Sequence, residues 1–251
     1  MLILRENSMK QRPYCTAIIV AAGKGRRMGT EISKQFLILG KLPVLVHTLK
    51  KFQNCDKIDE IIIVTGKDCI SYCQKEFVEK YCITKVSQIV AGGKERQDSV
   101  YNGLKAVNEK TKIVAVHDGV RPFVKITDIE KTIKEAQRSK ACALGVHATD
   151  TIKICNSENI IIHTPTRSKI WYIQTPQTFQ YDILMKAYEE AHKVRFVGTD
   201  EAMLVEKIGI SVKVVEGSYD NMKITTLSDM VIGEALLKSI NLYKKQWKVN
   251  E

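Results

Sequence analysis

Short runs of consecutive apolar residues alternate along the chain with stretches whose apolar positions recur every three or four residues. The runs at 16–21, 60–65, 86–90, 112–117, 142–147 and 212–215 are predicted strands. The first four are apolar almost without a break, the pattern of strands covered on both faces. Helical spacing is predicted over 43–53, 68–79, 96–107, 127–138, 181–193, 200–208 and 228–242. Strand and helix take turns, so the expected fold class is α/β: a doubly wound, mostly parallel sheet. Ligands of such sheets sit beyond the C-terminal ends of the strands. Segments 21–34, 91–99 and 117–121 all fall there.

Residues 148–174 break the alternation. Segment 149–155 reads as a strand, Asn156-Ser157-Glu158-Asn159 as a turn, and 160–164 as a second strand. A projecting hairpin is marginally stable alone, so this arm is expected to pack on a second chain. The whole of 1–251 is otherwise expected to be one domain.

Composition narrows the class. With 251 residues and 44% hydrophobic content the chain can bury a substantial core. No run approaches the roughly 20 apolar residues of a membrane span. The start, Met-Leu-Ile-Leu-Arg-Glu-Asn, turns polar too early for a signal peptide. A cytoplasmic location and no membrane partner are therefore expected. The seven cysteines lack metal spacing and are expected to be reduced thiols. The net charge of +11 favours polyanionic partners. No nucleic-acid-binding motif accompanies it, so phosphorylated small molecules are expected rather than nucleic acid.

The chemistry gathers after the first strand. Ala21-Ala22-Gly23-Lys24-Gly25-Arg26-Arg27-Met28-Gly29 leads on to Lys34-Gln35. Glycine lets backbone N–H groups approach a ligand, and the cations Lys24, Arg26, Arg27 and Lys34 can neutralise several phosphate oxygens. The spacing G-x-G-x-x-x-G misses the dinucleotide fingerprint by one residue, and a P-loop is absent. A second loop, Ala91-Gly92-Gly93-Lys94-Glu95-Arg96-Gln97-Asp98-Ser99, opens a predicted helix and could read a nucleobase. A third, His117-Asp118-Gly119-Val120-Arg121-Pro122, carries an aspartate suited to magnesium. His117 is expected to be structural.

In order, A-A-G-x-G-R-R-M, K-Q-F, G-G-x-E-R-x-D-S-V, H-D-x-x-R-P, D-T-I-K, T-P-Q-x-F, T-D-E-A and V-E-G-S-x-x-N-x-K-I-T run from about residue 14 to about 240. This series resembles the 2-C-methyl-D-erythritol 4-phosphate cytidylyltransferases of the non-mevalonate isoprenoid pathway. The resemblance implies a Rossmann-like nucleotidyltransferase that joins CTP to a polyol phosphate, with Mg2+ as cofactor. It implies that Arg27 and Lys34 are catalytic. Ala21, Ala22, Gly23, Gly25, Gly92, Gly93, Arg96, Ser99, Asp118 and Gly119 would hold the nucleotide, with Asp118 also the metal ligand. Thr151, Arg167 and Lys223 would position the polyol phosphate. It further implies a homodimer joined through arm 148–174, each site borrowing Thr151 and Arg167 from the partner. Two positions depart from the family's habit: Lys94, often acidic, and Gly119-Val120, more usually Ala-Ala. Ribitol 5-phosphate cytidylyltransferases share most of these motifs but tend to carry A-G-G in place of Ala21-Ala22-Gly23. A basic nucleic-acid-binding or regulatory protein on the same fold is the alternative of another class.

Overall fold

The computed structural model describes residues 12–23 and 34–247. Seven strands form one sheet: β1 (Tyr14–Ala21), β2 (Glu60–Thr65), β3 (Val86–Ala91), β4 (Thr111–Asp118), β5 (Ala141–His147), β8 (Trp171–Gln180) and β9 (Lys213–Glu216). Two short strands, β6 (Ile154–Cys155) and β7 (Ile161–His163), pair antiparallel outside it. The order across the sheet is β9-β5-β8-β4-β1-β2-β3. Only β8 runs against its neighbours, pairing antiparallel with both β4 and β5. The mostly parallel α/β architecture is as expected.

β1 shows why the sheet forms here. Its successive residues feed opposite layers: Ala17, Ile19 and Ala21 join one core cluster, Ile18 the other. The first layer is closed by α1 (Val44–Gln53), through Leu45, Leu49 and Phe52, and by α4 (Ile126–Ser139), through Ile129 and Ile133. The second is closed by α3 (Arg96–Lys105), α5 (Tyr181–Lys193) and α6 (Glu201–Lys207), through Val100, Leu104, Leu184, Tyr188 and Leu204. The last helix, α7 (Leu227–Trp247), packs Met230, Leu236, Leu237 and Ile240 on a third cluster built on Leu39, Val44, Val120, Phe123 and Ile224.

Two expectations outside the hairpin change. The helix expected over 68–79 begins with a tight turn at Lys67–Cys69. A single α-helical turn follows, α2 (Ile70–Cys73), and then a wider-wound turn over Gln74–Glu79. The second change is larger. β8 was not predicted, because Pro176 interrupts it and its buried residues are mostly polar: Gln174, Thr175, Gln177 and Thr178. A proline cannot donate to a ladder and argues against a central strand. The register shifts between Ile173 and Gln177, so Pro176 sits where the ladder to β5 is interrupted.

The hairpin lies between β5 and β8. Its strands are shorter than expected, Ile154 facing His163 and Cys155 facing Ile161. The turn is held by Asn156, whose Oδ1 accepts from the N–H groups of Glu158 and Ile160. At the mouth of the excursion the Ala148 N–H donates to the Ile170 carbonyl at 2.9 Å.

Gly103 of α3 faces the sheet so closely that an added Cβ would lie 2.7 Å from Ile18 Cγ2 and 3.0 Å from Val64 Cγ2. In an exposed helix Gly→Ala gains about 1 kcal/mol. Here overpacking, about 1–3 kcal/mol, outweighs that gain. Gly103→Ala is therefore expected to lower the urea midpoint at unchanged slope. A raised midpoint would show that the helix can step back from the sheet.

Candidate active site

The carboxyl ends of β1 and β4 lie side by side, with Val20 opposite Asp118. Beyond them opens a cavity of about 580 Å³. Its wall is Val20, Ala21, Ala22 and Gly23 from the end of β1, then Lys34 and Gln35. Gly93, Lys94, Glu95, Arg96 and Ser99 come from the start of α3, Asp118 and Val120 from the end of β4, and Lys223 from the segment before α7. The three loops expected at this edge do meet. A larger cavity, about 730 Å³, opens by Pro13, Thr111 and Gln180. It lies at the amino ends of the parallel strands, away from the edge where such sheets bind ligands; of its charged lining residues Arg12, Lys112 and Asp182, Arg12 is taken up by its ion pair with Asp59.

Asp118 is the electrostatic centre. It is 5% exposed. Lys223 Nζ lies 2.8 Å from its Oδ2 and Arg121 Nε 3.6 Å from the same oxygen. Arg96 approaches Oδ1 with Nε and Nη2, each at 3.4 Å. Burial opposes the carboxylate charge, but Arg96, Lys223 and Arg121 overcome it and hold Asp118 well below the usual carboxylate range. Its backbone N–H donates to Thr175 Oγ1 at 3.1 Å.

Thr175 in turn faces His117 Nδ1 at 3.0 Å, while His117 Nε2 lies 3.2 Å from the Arg121 carbonyl. A carbonyl only accepts, so Nε2 carries the proton and Nδ1 accepts from the Thr175 hydroxyl. The ring is wholly buried, and burial pushes its pKa down to about 3. It is a neutral structural link, with both nitrogens spent.

The glycine loops owe much of their composition to packing. A Cβ on Gly92 would lie 2.5 Å from Ala22 Cβ and 2.9 Å from Ser99 Oγ. Ser99 Oγ accepts from the Gly93 N–H and donates to the Glu95 carbonyl, so the hydroxyl staples its own loop. Gly119 donates its N–H to the Val20 carbonyl, and its own carbonyl accepts from Thr48 Oγ1. Gly92 and Gly119 thus stand behind the cavity wall rather than on it.

The match to known proteins decides the family. The family model described as 2-C-methyl-D-erythritol 4-phosphate cytidylyltransferase covers residues 15–239. The chain belongs to the 2-C-methyl-D-erythritol 4-phosphate cytidylyltransferase family. The relative of that name from Alkaliphilus oremlandii (strain OhILAs) is 47% identical over 224 residues, 89% of this chain and 95% of that protein. The one from Clostridium botulinum (strain Loch Maree / Type A3) is 48% identical over 225 residues, 90% and 98% of the two chains. The crystal structure of 4-diphosphocytidyl-2C-methyl-D-erythritol synthase from Anaerococcus prevotii DSM 20548 superposes with a TM-score of 0.81. It is 36% identical, covering 90% of this chain and 96% of that one.

In this cytidylyltransferase Ala21, Ala22, Gly23, Lys34, Gly93, Arg96, Ser99, Asp118 and Lys223 line one cavity. Gly25 and Arg27 lie outside the described residues. Thr151 and Arg167 are exposed on the arm and do not line the cavity; Arg167 Nη1 donates to the Thr149 carbonyl. Three supporting residues had no role assigned from sequence. Gln35 is buried and donates to the Ala21 carbonyl at 2.7 Å, pinning the Lys34 turn to the end of β1. Glu201 grips Arg96. Asn221 Nδ2 donates to Gln174 Oε1 and the Thr175 carbonyl, fixing the segment that delivers Lys223. Each stands inside a motif noted above, but a motif does not say which member faces the ligand.

The His117 environment carries a pH signature. Between its unfolded value, 6.5, and about 3 the unfolded chain binds a proton that the native chain does not. Stability from this group is full above pH 6.5 and falls as pH drops, by about 1.4 kcal/mol per unit. Urea unfolding should thus give a lower free energy at pH 5 than at pH 7, with a shallower slope in His117→Gln. An identical slope in that variant would assign the loss to other groups.

Proposed function

We propose that the chain uses this cavity to transfer the cytidylyl group of CTP to 2-C-methyl-D-erythritol 4-phosphate, giving 4-diphosphocytidyl-2-C-methyl-D-erythritol and pyrophosphate. The observation that carries the reading is the convergence of Lys34, Arg96, Asp118 and Lys223 on one cavity in a member of this family. An oxygen of the acceptor phosphate attacks the α-phosphorus in line, and the bond to pyrophosphate breaks. A phosphate monoester has its second pKa near ~6 and is already a dianion in large part at neutral pH. No general base is needed, in keeping with a His117 that is buried, neutral and fully paired. Catalysis is then positioning and charge neutralisation. Lys34 and Arg27 stabilise charge moving toward pyrophosphate, and Lys223 holds the acceptor phosphate.

Magnesium fits the donor set. Asp118 offers one ionised carboxylate beside a cavity lined with cations, and no cluster of three potential ligand side chains occurs among the described residues. That suits an ion held mainly by phosphate oxygens with one protein carboxylate. Asp118 would hold it, and Lys223 would share or yield Oδ2. Bound there, the ion neutralises triphosphate charge.

The working unit in this reading is a cytoplasmic homodimer. Ile154, Ile160, Ile161 and Ile162 of the arm are exposed, Ile162 by 65%. Four exposed isoleucines on one short hairpin favour an interface. Thr151 and Arg167 then reach the partner's cavity and hold its polyol phosphate.

Pyrophosphate release from CTP with each polyol phosphate, with and without magnesium, tests the reading. Activity should require 2-C-methyl-D-erythritol 4-phosphate; release with ribitol 5-phosphate alone would overturn the substrate. Lys34→Ala should lose about 2–4 kcal/mol of transition-state stabilisation, seen in kcat, with the fold intact. Near-normal turnover would remove Lys34 from the mechanism.

Subunit mixing tests the arm. Inactive Lys34→Ala and Arg167→Ala chains, mixed with exchange verified, form heterodimers in half of all pairs. One site of each then carries both lesions and the other none. Activity should return to about a quarter of wild type. No recovery would place both residues of a site in one chain.

A further inference from the structure

Glu201 is 1% exposed and does not line the cavity. It nevertheless grips a residue that does. Arg96 donates from Nη1 to Glu201 Oε1 at 2.7 Å and from Nη2 to Oε2 at 3.0 Å. Tyr188 O–H donates to Oε1 at 3.2 Å. The seat of Glu201 is itself fixed. Asp200 caps α6 by accepting from the Met203 N–H, and Gln177 donates to Asp200 while accepting from the Ala202 N–H. A bidentate fork on a buried carboxylate leaves the guanidinium essentially one orientation.

That orientation holds Arg96 back from Asp118. Both its contacts to Oδ1 are 3.4 Å, well beyond the 2.7–2.9 Å of a full charge-assisted hydrogen bond. We propose that Glu201 is a positioning residue for the reaction: by retaining the guanidinium of Arg96, it keeps Asp118 Oδ1 open toward the nucleotide and its divalent cation. Without the Glu201 charge, Arg96 would close on Asp118 and cover that oxygen with a cation. The inference rests on the cavity binding CTP with magnesium.

Glu201→Gln tests it. The amide preserves volume and an acceptor for Tyr188, and removes the charge and one acceptor facing Arg96. CTP binding is measured by calorimetry on the full-length protein, with magnesium and with chelator, beside thermal melts. The expected result is about a tenfold loss of affinity in magnesium, the scale of a lost outer-shell partner, and no loss in chelator. In an Arg96→Gln background the same substitution should change the magnesium effect by less than about twofold, because Glu201 acts through Arg96. Wild-type affinity in magnesium, an equal loss in chelator, or an undiminished loss without Arg96 would each overturn the proposal. Should Glu201→Gln fail to fold, Glu201→Asp keeps the charge that retains Arg96, so its affinity for CTP in magnesium should match wild type; a loss confined to magnesium in that variant would overturn the role given to the charge. A wild-type protein that binds CTP equally with and without magnesium would overturn the metal reading of the cavity as well.

Discussion

A carboxylate removed from water stays ionised only if cations are brought to it. Asp118 is such a group, and the carboxyl edge of this sheet is built around meeting its demand. Its three cations come from the start of α3, the turn after β4 and the segment before α7. Each has its own anchor. Arg96 is held by Glu201, and Arg121 donates to the Asn221 carbonyl at 2.8 Å. Lys223 lies between Asn221 and Ile224, whose N–H donates to the Val120 carbonyl. Arg96, Arg121 and Lys223 set against Asp118 and Glu201 leave this cluster net positive, and Lys34 and Lys94 of the cavity wall outweigh its Glu95, so positive charge faces an incoming polyphosphate.

The anchors explain residues that are otherwise hard to place. Gln177 ties β8 to the start of α6, Thr175 ties it to His117 and Asp118, and Gln174 ties it to Ser218 and Asn221. A strand in the middle of a sheet is ordinarily apolar. This one carries amides and hydroxyls because it distributes hydrogen bonds to three other parts of the edge. Burying those groups is tolerable only because they are paired.

The same trade decides what could be read before the structure was known. The apolar strands β1, β2 and β4 and the amphipathic helices α1, α4 and α5 announce themselves through spacing. The gathering of Lys34, Arg96, Asp118 and Lys223 follows from their placement at strand ends and in the family's motifs. β8 stayed hidden because Pro176 and its polar neighbours read as a loop, and their partners are distant in sequence. Glu201 stands in the acidic first turn of a helix; its ion pair with Arg96 spans 105 positions and leaves no local trace. Ser99 and Gly119, expected to face the nucleotide, are largely committed to holding their own loops together.

The arm leaves the sheet between two adjacent antiparallel strands, β5 and β8, and its mouth is closed by the Ala148–Ile170 hydrogen bond. In topological terms the whole excursion is therefore an elongated hairpin loop. Its length can change without altering strand order, and loop closure depends only weakly on length. Folding of the sheet and the exposed apolar surface of the arm are thus encoded in separable stretches of sequence. The tip of the excursion, around the turn held by Asn156, can diverge or shorten while Asp118 and its cations, and the proposed substrate contacts Thr151 and Arg167 near its base, stay under the selection imposed by the reaction.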